Sequence, residues 1–358
     1  MNNLDNFTTI AVDAMGGDNA PEEIVLGVLR SAMNHKNIKF KIFGNKLIIE
    51  PIVDDFILKM NSKRTEEEMA LMSKVEIINC EKVITNDEKP STALRNSKGS
   101  SMRMAIEAVK NKEADASLSA GNTGALMAIS KIILGTLPNI HRPAICSFVP
   151  SKEGVFTLLD MGANLECDEN YLLQFATMGA AFNRAILGNR PIKIAILNIG
   201  SEEMKGRDCI KKASQILSDC PQLKSSYIGY IEPDKVFQSK CDVVVTDGFT
   251  GNIFIKASEG VASLIRNTLK EVFRSSVVSK LAYVMIKKVL KKSFIKFDHR
   301  KYNGAMFVGL NGISIKSHGS ANAESFSNAI DVTISLVKNN VNEKIINQIS
   351  NNSENKIK

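Results

Sequence analysis

Cys241-Asp-Val-Val-Val-Thr-Asp247-Gly-Phe-Thr-Gly-Asn252-Ile-Phe-Ile-Lys256 reads as a buried strand, a tight polar turn and the start of a helix. Val243 to Val245 are β-branched and uninterrupted, as in a strand covered on both faces. The turn supplies two glycines, Gly248 and Gly251, which let the backbone approach a ligand closely. A helix beginning there aims free N–H groups at whatever lies above it, which suits a phosphate or an oxyanion. The same order recurs upstream. Ala116-Ser-Leu-Ser-Ala120 is strand-like, Gly121-Asn122-Thr123-Gly124 is the turn, and Ala125 to Leu134 is helical in pattern. Both turns contain Gly-x-Thr-Gly. One such turn is ordinary punctuation in an α/β chain; a pair points to an anion-binding cleft with Asn122, Thr123, Thr250 and Asn252 as side-chain donors.

Working outward, β-branched strands at 8–12, 39–43, 75–80, 155–159, 192–197 and 227–232 alternate with helical patterns at 22–34, 101–111, 168–187, 207–217 and 322–338. Alternation of this kind, with continuously apolar strands, predicts a mainly parallel sheet sandwiched by helices. Polar residues gather where strands end, at 13–19, 119–124, 160–164, 198–206 and 247–252. In open α/β sheets that edge binds ligands. Residues 1–338 are expected to form a single α/β catalytic unit, and the Asn/Lys-rich tail 339–358 to be frayed and flexible.

The 358 residues carry a net charge of +8, with 44% apolar and 23% charged side chains, ordinary proportions for a globular chain. The charge is local. From Val261 to Lys301 there are eleven Lys/Arg against two acids, Glu271 and Asp298. A protruding basic amphipathic segment is expected at 258–300. Val278, Leu281, Ala282, Met285, Ile286 and Val289 share one arc, and Lys280, Lys287, Lys288, Lys291 and Lys292 lie off it. This reads either as a solvated basic surface or as a platform for an anionic membrane or an acidic partner. The six cysteines include no C-x-x-C pair and no histidine at zinc spacing, so they read as reduced core thiols and no metal is expected. With no secretory leader and no apolar run long enough for a bilayer span, a cytoplasmic protein is expected.

No G-x-G-x-x-G, G-x-x-x-x-G-K-[ST] or G-x-S-x-G is present, and the four histidines stand alone. The available chemistry is electrostatic: Lys205, set between Gly200 and Gly206, with the turn amides and the side-chain donors. Such a site stabilises a phosphate and a developing oxyanion without a covalent nucleophile. Alternatively Lys205, following two glutamates, is a solvated surface charge.

Several long stretches carry a resemblance. They are Asp13-Ala-Met-Gly-Gly-Asp18, Lys89-Pro-Ser-Thr-Ala-Leu-Arg95, Ser119 to Ala128, Asp160-Met-Gly-Ala-Asn164, Leu172 to Gly179, Asn198-Ile-Gly200, Asp247 to Asn252 and Gly309 to Gly319. In this order they resemble the phosphate acyltransferases of bacterial phospholipid synthesis, the PlsX family. The resemblance implies a fold like isopropylmalate dehydrogenase and phosphotransacetylase, with no cofactor. It implies that inorganic phosphate attacks the thioester of fatty acyl-acyl carrier protein, giving acyl phosphate for a downstream acyl-phosphate glycerol-3-phosphate acyltransferase. Lys205 and Asn252 would be the catalytic pair. Gly121, Asn122, Thr123, Gly124, Asp160, Asn164, Gly200, Asp247, Gly248, Thr250 and Gly251 would line the substrate and phosphate site. Family members are similar in being homodimers attached peripherally to membranes, and no nucleic-acid partner is implied. This chain departs from the family at Ser201, where a glutamate is usual, at Tyr230-Ile-Glu-Pro233, and at Met306, where proline is common. A phosphotransacetylase acting on coenzyme A thioesters, a dehydrogenase of the related fold and a catalytically silent phosphate- or lipid-binding scaffold are the competing readings.

Overall fold

A computed structural model describes residues 7–60, 65–294 and 303–354. In chain order the elements are β1 (Thr8–Asp13), α1 (Glu22–Asn34), β2 (Ile38–Gly44), α2 (Lys46–Lys59), α3 (Thr65–Met72), β3 (Val75–Asn79), α4 (Pro90–Asn96), α5 (Ser101–Lys110), β4 (Ala116–Ser119), α6 (Thr123–Leu134), β5 (Ala144–Ser151), β6 (Gly154–Leu159) and α7 (Glu169–Leu187). Then come β7 (Ile194–Leu197), α8 (Asp208–Asp219), β8 (Tyr227–Ile231), α9 (Pro233–Val236), β9 (Val243–Val245), α10 (Gly248–Arg274), α11 (Val277–Phe294), β10 (Ala305–Val308), β11 (Ile313–Lys316), α12 (Ala323–Lys338) and α13 (Val341–Glu354).

Where the sequence suggested one unit for 1–338, the chain divides into two compact units. The first holds residues 1–147, 181–190 and 300–358, and the second 148–180 and 191–299. The division falls inside β5 and α7, so no linker composition announces it.

In the first unit the strand order is β3-β2-β1-β4-β11-β10-β5, with β10 antiparallel to both neighbours and β1, β2, β3, β4 and β11 mutually parallel. Ile10, Ala11 and Val12 are fully buried, because helices cover both faces of the sheet: α1 and α12 pack with Ile24, Val28, Leu29, Phe326 and Ile330 inward, and α5 packs Ala105 and Ala108 against Ala11. Gly27 permits the crossing of those two helices. A Cβ there would meet the Ala323 carbonyl oxygen and Phe326 Cβ, each at 3.0 Å. In the second unit the order is β6-β9-β7-β8, all parallel, with Val243, Val244 and Val245 fully buried. Each unit thus has the mainly parallel, helix-flanked sheet expected from the alternation.

The C-terminal segment differs from expectation. Residues 341–354 form α13, with Val341, Ile345 and Ile349 buried at helical spacing. The Asn342 amide donates to the Leu310 carbonyl at 3.0 Å, and Lys344 Nζ to that of Ala185 at 3.4 Å. Polar composition outweighs this narrow stripe in a sequence reading, yet three apolar side chains suffice to seat a helix.

Helices α10 and α11 occupy most of the expected basic segment and fold back on each other, the rings of Phe273 and Tyr283 lying 5.2 Å apart. The apolar arc read from the sequence is open in the single chain, with Val278 75% and Met285 83% exposed. Lys280, Lys287 and Lys288 are exposed too. The side chains of Lys291 and Lys292, and residues 295–300 of that segment, lie outside the described residues. Among the described residues no helix is long and apolar enough to cross a membrane.

Candidate active site

In the second unit three strand ends build one polar corner. β6 leads into Asp160, whose buried carboxylate accepts from the backbone N–H of Gly162 (3.2 Å), Ala163 (3.0 Å) and Asn164 (2.7 Å) and from Asn164 Nδ2 (2.9 Å). The turn 160–164 is therefore wound around its own anion, and Asp160 and Asn164 act on architecture. Asp247 caps α10 in a similar way. Its carboxylate accepts from the Thr250 N–H at 2.8 Å and the Thr250 hydroxyl at 2.9 Å, and it pairs with the guanidinium of Arg207. The Thr250 hydroxyl, read as a substrate donor, is spent here.

Gly248 and Gly251 do permit a close approach, but to the neighbouring turn. Gly248 N–H donates to the Asn164 carbonyl at 2.7 Å, and a Cβ at Gly251 would lie 2.0 Å from the Asp160 carbonyl oxygen. The result is a tight joint that sets where α10 begins. One position further, Asn252 is partly buried beside Gly162, and its carboxamide has no hydrogen-bond partner among the described residues. It is the free donor of the corner.

Lys205 lies on the turn after β7. Asn198 Nδ2 donates to the Lys205 carbonyl at 3.0 Å, and a Cβ at Gly206 (φ +93°) would fall 2.2 Å from Asn198 Oδ1. Gly200 clears the path of the lysine stem, since a Cβ there would be 2.6 Å from Lys205 Cδ. The ammonium is exposed and paired with Glu202 at 2.8 Å. That hydrogen bond raises the Lys205 pKa and lowers that of Glu202, so Lys205 is a permanent cation at neutral pH. Arg207, which the sequence reading passed over, fastens this turn to the cap of α10. Its only signal was its place directly after Gly206.

In the first unit, Asp13, Ser119 and Lys316 sit side by side in register across β1, β4 and β11. Ser119 Oγ donates to Asp13 Oδ2 at 2.7 Å and accepts from the Gly121 N–H at 3.0 Å. Burial pushes the Asp13 pKa up, opposed by hydrogen bonds, Ser119 among them, and by the charge of Lys316. Burial also pulls Lys316 down to about 8, against the charges of Asp18 and Asp13. The four-residue turn is anchored firmly. Asn122 Oδ1 caps α6 by accepting from Ala125 N–H at 3.0 Å, while its Nδ2 donates to the carbonyls of Thr85 (3.3 Å), Asn86 (2.9 Å) and Glu88 (2.8 Å). Asn122 is thereby committed to the scaffold, whereas Thr123 is exposed and the amides of Thr123 and Gly124 begin the helix as open donors. Neither Asp13 nor Lys316 stood out as a site residue in the sequence; both lay within stretches that carried the resemblance.

Burial holds the Cys80 thiol at about 11 and that of Cys241 at about 12. Among the described residues no three His, Cys, Asp or Glu side chains gather as a metal site.

Solved structures of the same fold are phosphotransacetylases and dehydrogenases. A phosphotransacetylase from Streptococcus pyogenes aligns with 92% of this chain and 94% of its own at a TM-score of 0.58 and 17% identity. A 4-hydroxythreonine-4-phosphate dehydrogenase from Klebsiella pneumoniae covers 94% and 99% at 0.50 and 13%. At such identities the likeness is one of fold. The sequence goes further. The family model described as "Fatty acid synthesis protein" matches residues 8–344. The chain is 44% identical to a phosphate acyltransferase of Ehrlichia chaffeensis over 96% of its length and 100% of that protein, and 44% identical to one of Ehrlichia ruminantium over 98% and 100%. This chain belongs to the phosphate acyltransferase family, a family of transferases.

Proposed function

We propose that the protein transfers the fatty acyl group of acyl-acyl carrier protein to inorganic phosphate, the first step toward phosphatidic acid in phospholipid synthesis. A phosphate oxygen adds to the thioester carbonyl, the tetrahedral oxyanion collapses, the C–S bond breaks, and the carrier thiol and acyl phosphate leave. Phosphate is itself the nucleophile, so the protein's contribution is placement and charge. Lys205 holds the phosphate, releasing Glu202 as it does so, and the carboxamide of Asn252 donates to the carbonyl oxygen as negative charge develops. The amides of the Gly121–Gly124 turn are assigned to anion binding. The observation that carries this reading is the free Asn252 donor and the Lys205 cation being braced by the same Arg207–Asp247 ion pair.

The exposed arc of α10 and α11 supports a homodimer, and the lysines beside it support contact with an acidic carrier protein or an anionic membrane, the protein being cytoplasmic and peripherally attached. The acyl phosphate would pass to an acyl-phosphate glycerol-3-phosphate acyltransferase.

The test is phosphate-dependent release of carrier protein from palmitoyl-acyl carrier protein, with acyl phosphate trapped by hydroxylamine. Release that requires phosphate and yields hydroxamate is the expected result. Turnover of palmitoyl-CoA in its place would move the substrate to coenzyme A thioesters, and silence with both would leave a binding scaffold.

A further inference from the structure

The peptide group joining Ala120 to Gly121 is held at both ends. Its N–H is fixed by Ser119 Oγ at 3.0 Å, which leans on the buried Asp13. Its carbonyl accepts from Lys316 Nζ at 3.0 Å, and the same ammonium also bonds the Ser317 carbonyl. Ser317 N–H closes the frame by donating to the Ser119 carbonyl at 2.9 Å. There is no spare room around this peptide. A Cβ at Gly16 would meet Asp13 Oδ2 at 2.6 Å and Gly121 N at 2.7 Å, and one at Gly17 would meet Ala120 Cβ at 2.9 Å.

A half-buried ammonium costs desolvation that a methionine of equal reach would avoid. What the ammonium alone supplies is several donors from one point, enough to draw two carbonyls together. We propose that Lys316 is a positioning residue: by clamping the Ala120 carbonyl it sets the path of the backbone into the Gly121–Gly124 turn and so aims the open amides of Thr123 and Gly124. The assignment rests on the reading of that turn as an anion site.

The charged groups facing Lys316 are Asp13 at the end of β1 and Asp18 on the turn that follows. Asp18 is itself held by Asn86 Nδ2 at 2.9 Å and by its own N–H to the Gly319 carbonyl at 2.8 Å. His318 bonds Ser320 through Nδ1 at 3.0 Å. With Lys316 poised near 8, deprotonation removes the charge from the clamp just above physiological pH.

The test compares wild type with Lys316→Met and Lys316→Arg. For K316M, KM for inorganic phosphate rises on the order of tenfold or more, and hydrogen exchange of the peptide spanning 116–126 quickens without substrate present. For K316R, whose cation does not titrate in this range, phosphate affinity at pH 7 is restored, and the loss of affinity expected of wild type above pH 8 is absent. K316M with unchanged phosphate KM and unchanged exchange, or K316R with the wild-type alkaline limb, overturns the proposal. Should K316M fail to fold, K316R decides alone. If wild type makes no acyl phosphate from inorganic phosphate, the acyltransferase reading falls, and the exchange comparison still decides whether Lys316 holds the turn.

Discussion

Replacing Gly251 with alanine places a methyl group 2.0 Å from the Asp160 carbonyl oxygen, 2.9 Å from Thr246 Cγ2 and 3.1 Å from the Asp160 carbonyl carbon. Two of those three atoms are backbone, and the turn they belong to is wound around its own carboxylate, so it cannot yield cheaply. Overpacking of this kind costs about 3 kcal/mol at the upper end of its usual range. The same substitution removes glycine's entropy penalty within a helix, a gain of about 1 kcal/mol. The net expectation is a loss of about 2 kcal/mol. Gly260, nine residues further along α10, supplies the control, because a Cβ there meets nothing within 4 Å. Gly260→Ala keeps only the propensity gain and should stabilise by up to about 1 kcal/mol. At roughly 1–2 °C per kcal/mol for a chain of this length, thermal melting should separate the two variants by about 3–6 °C, with wild type between them. Activity should fall in G251A, since α10 starts from a displaced joint and carries Asn252 with it, and should be unchanged in G260A. A G251A protein melting at or above G260A would refute the claim that these glycines exist to seat two turns against each other.

Lys205→Ala should lower turnover with phosphate by about 10²–10³-fold and leave the melting temperature within a degree or two, because the side chain is exposed; undiminished turnover would remove Lys205 from the mechanism. Lys316 has a folded pKa depressed to about 8, below its unfolded value, so the stability it contributes is present above the unfolded pKa and is lost as pH falls through about 8. Denaturant unfolding between pH 8 and 10.5 should therefore show wild type gaining on K316M by up to ~1.4 kcal/mol per pH unit; parallel stability curves would contradict this. Ile345→Ala should cost about 2–4 kcal/mol in chemical denaturation if α13 is a seated helix, and nothing if the segment frays.

Much of this was legible because local rules governed it. The strand Val243–Val245 and the helix behind it follow from β-branching and the glycine-bearing turn between them, whereas Asp247, read as lining the phosphate site, turns out to cap α10. What escaped was everything decided by distant neighbours. Asn122 looks like a free amide in the sequence, and only the fold brings in the carbonyls of Thr85, Asn86 and Glu88 to use it. Gly248 and Gly251 were read as admitting a ligand, whereas in the fold it is the 160–164 turn, distant in the chain, that approaches them. Lys316 is one lysine among many until strand register sets it level with Ser119 and Asp13. The α13 helix was hidden by its asparagines, which dominate a composition without touching the stripe Val341, Ile345 and Ile349.

The position of β11 and β10 between β4 and β5 has a consequence for how the chain is made. Strands from the first half of the sequence must wait for residues 305–316 before their sheet is continuous, and α1 must wait for α12 to cover it. On the ribosome the early strands therefore emerge with two unpaired edges and an uncovered apolar face, a state prone to sticking to its neighbours. The strands of the second unit, by contrast, are all synthesised within 154–245 and can pair as they appear. Nascent chains halted near residue 290 should thus already protect β6, β7, β8 and β9 from protease while leaving β1 to β4 open to cleavage.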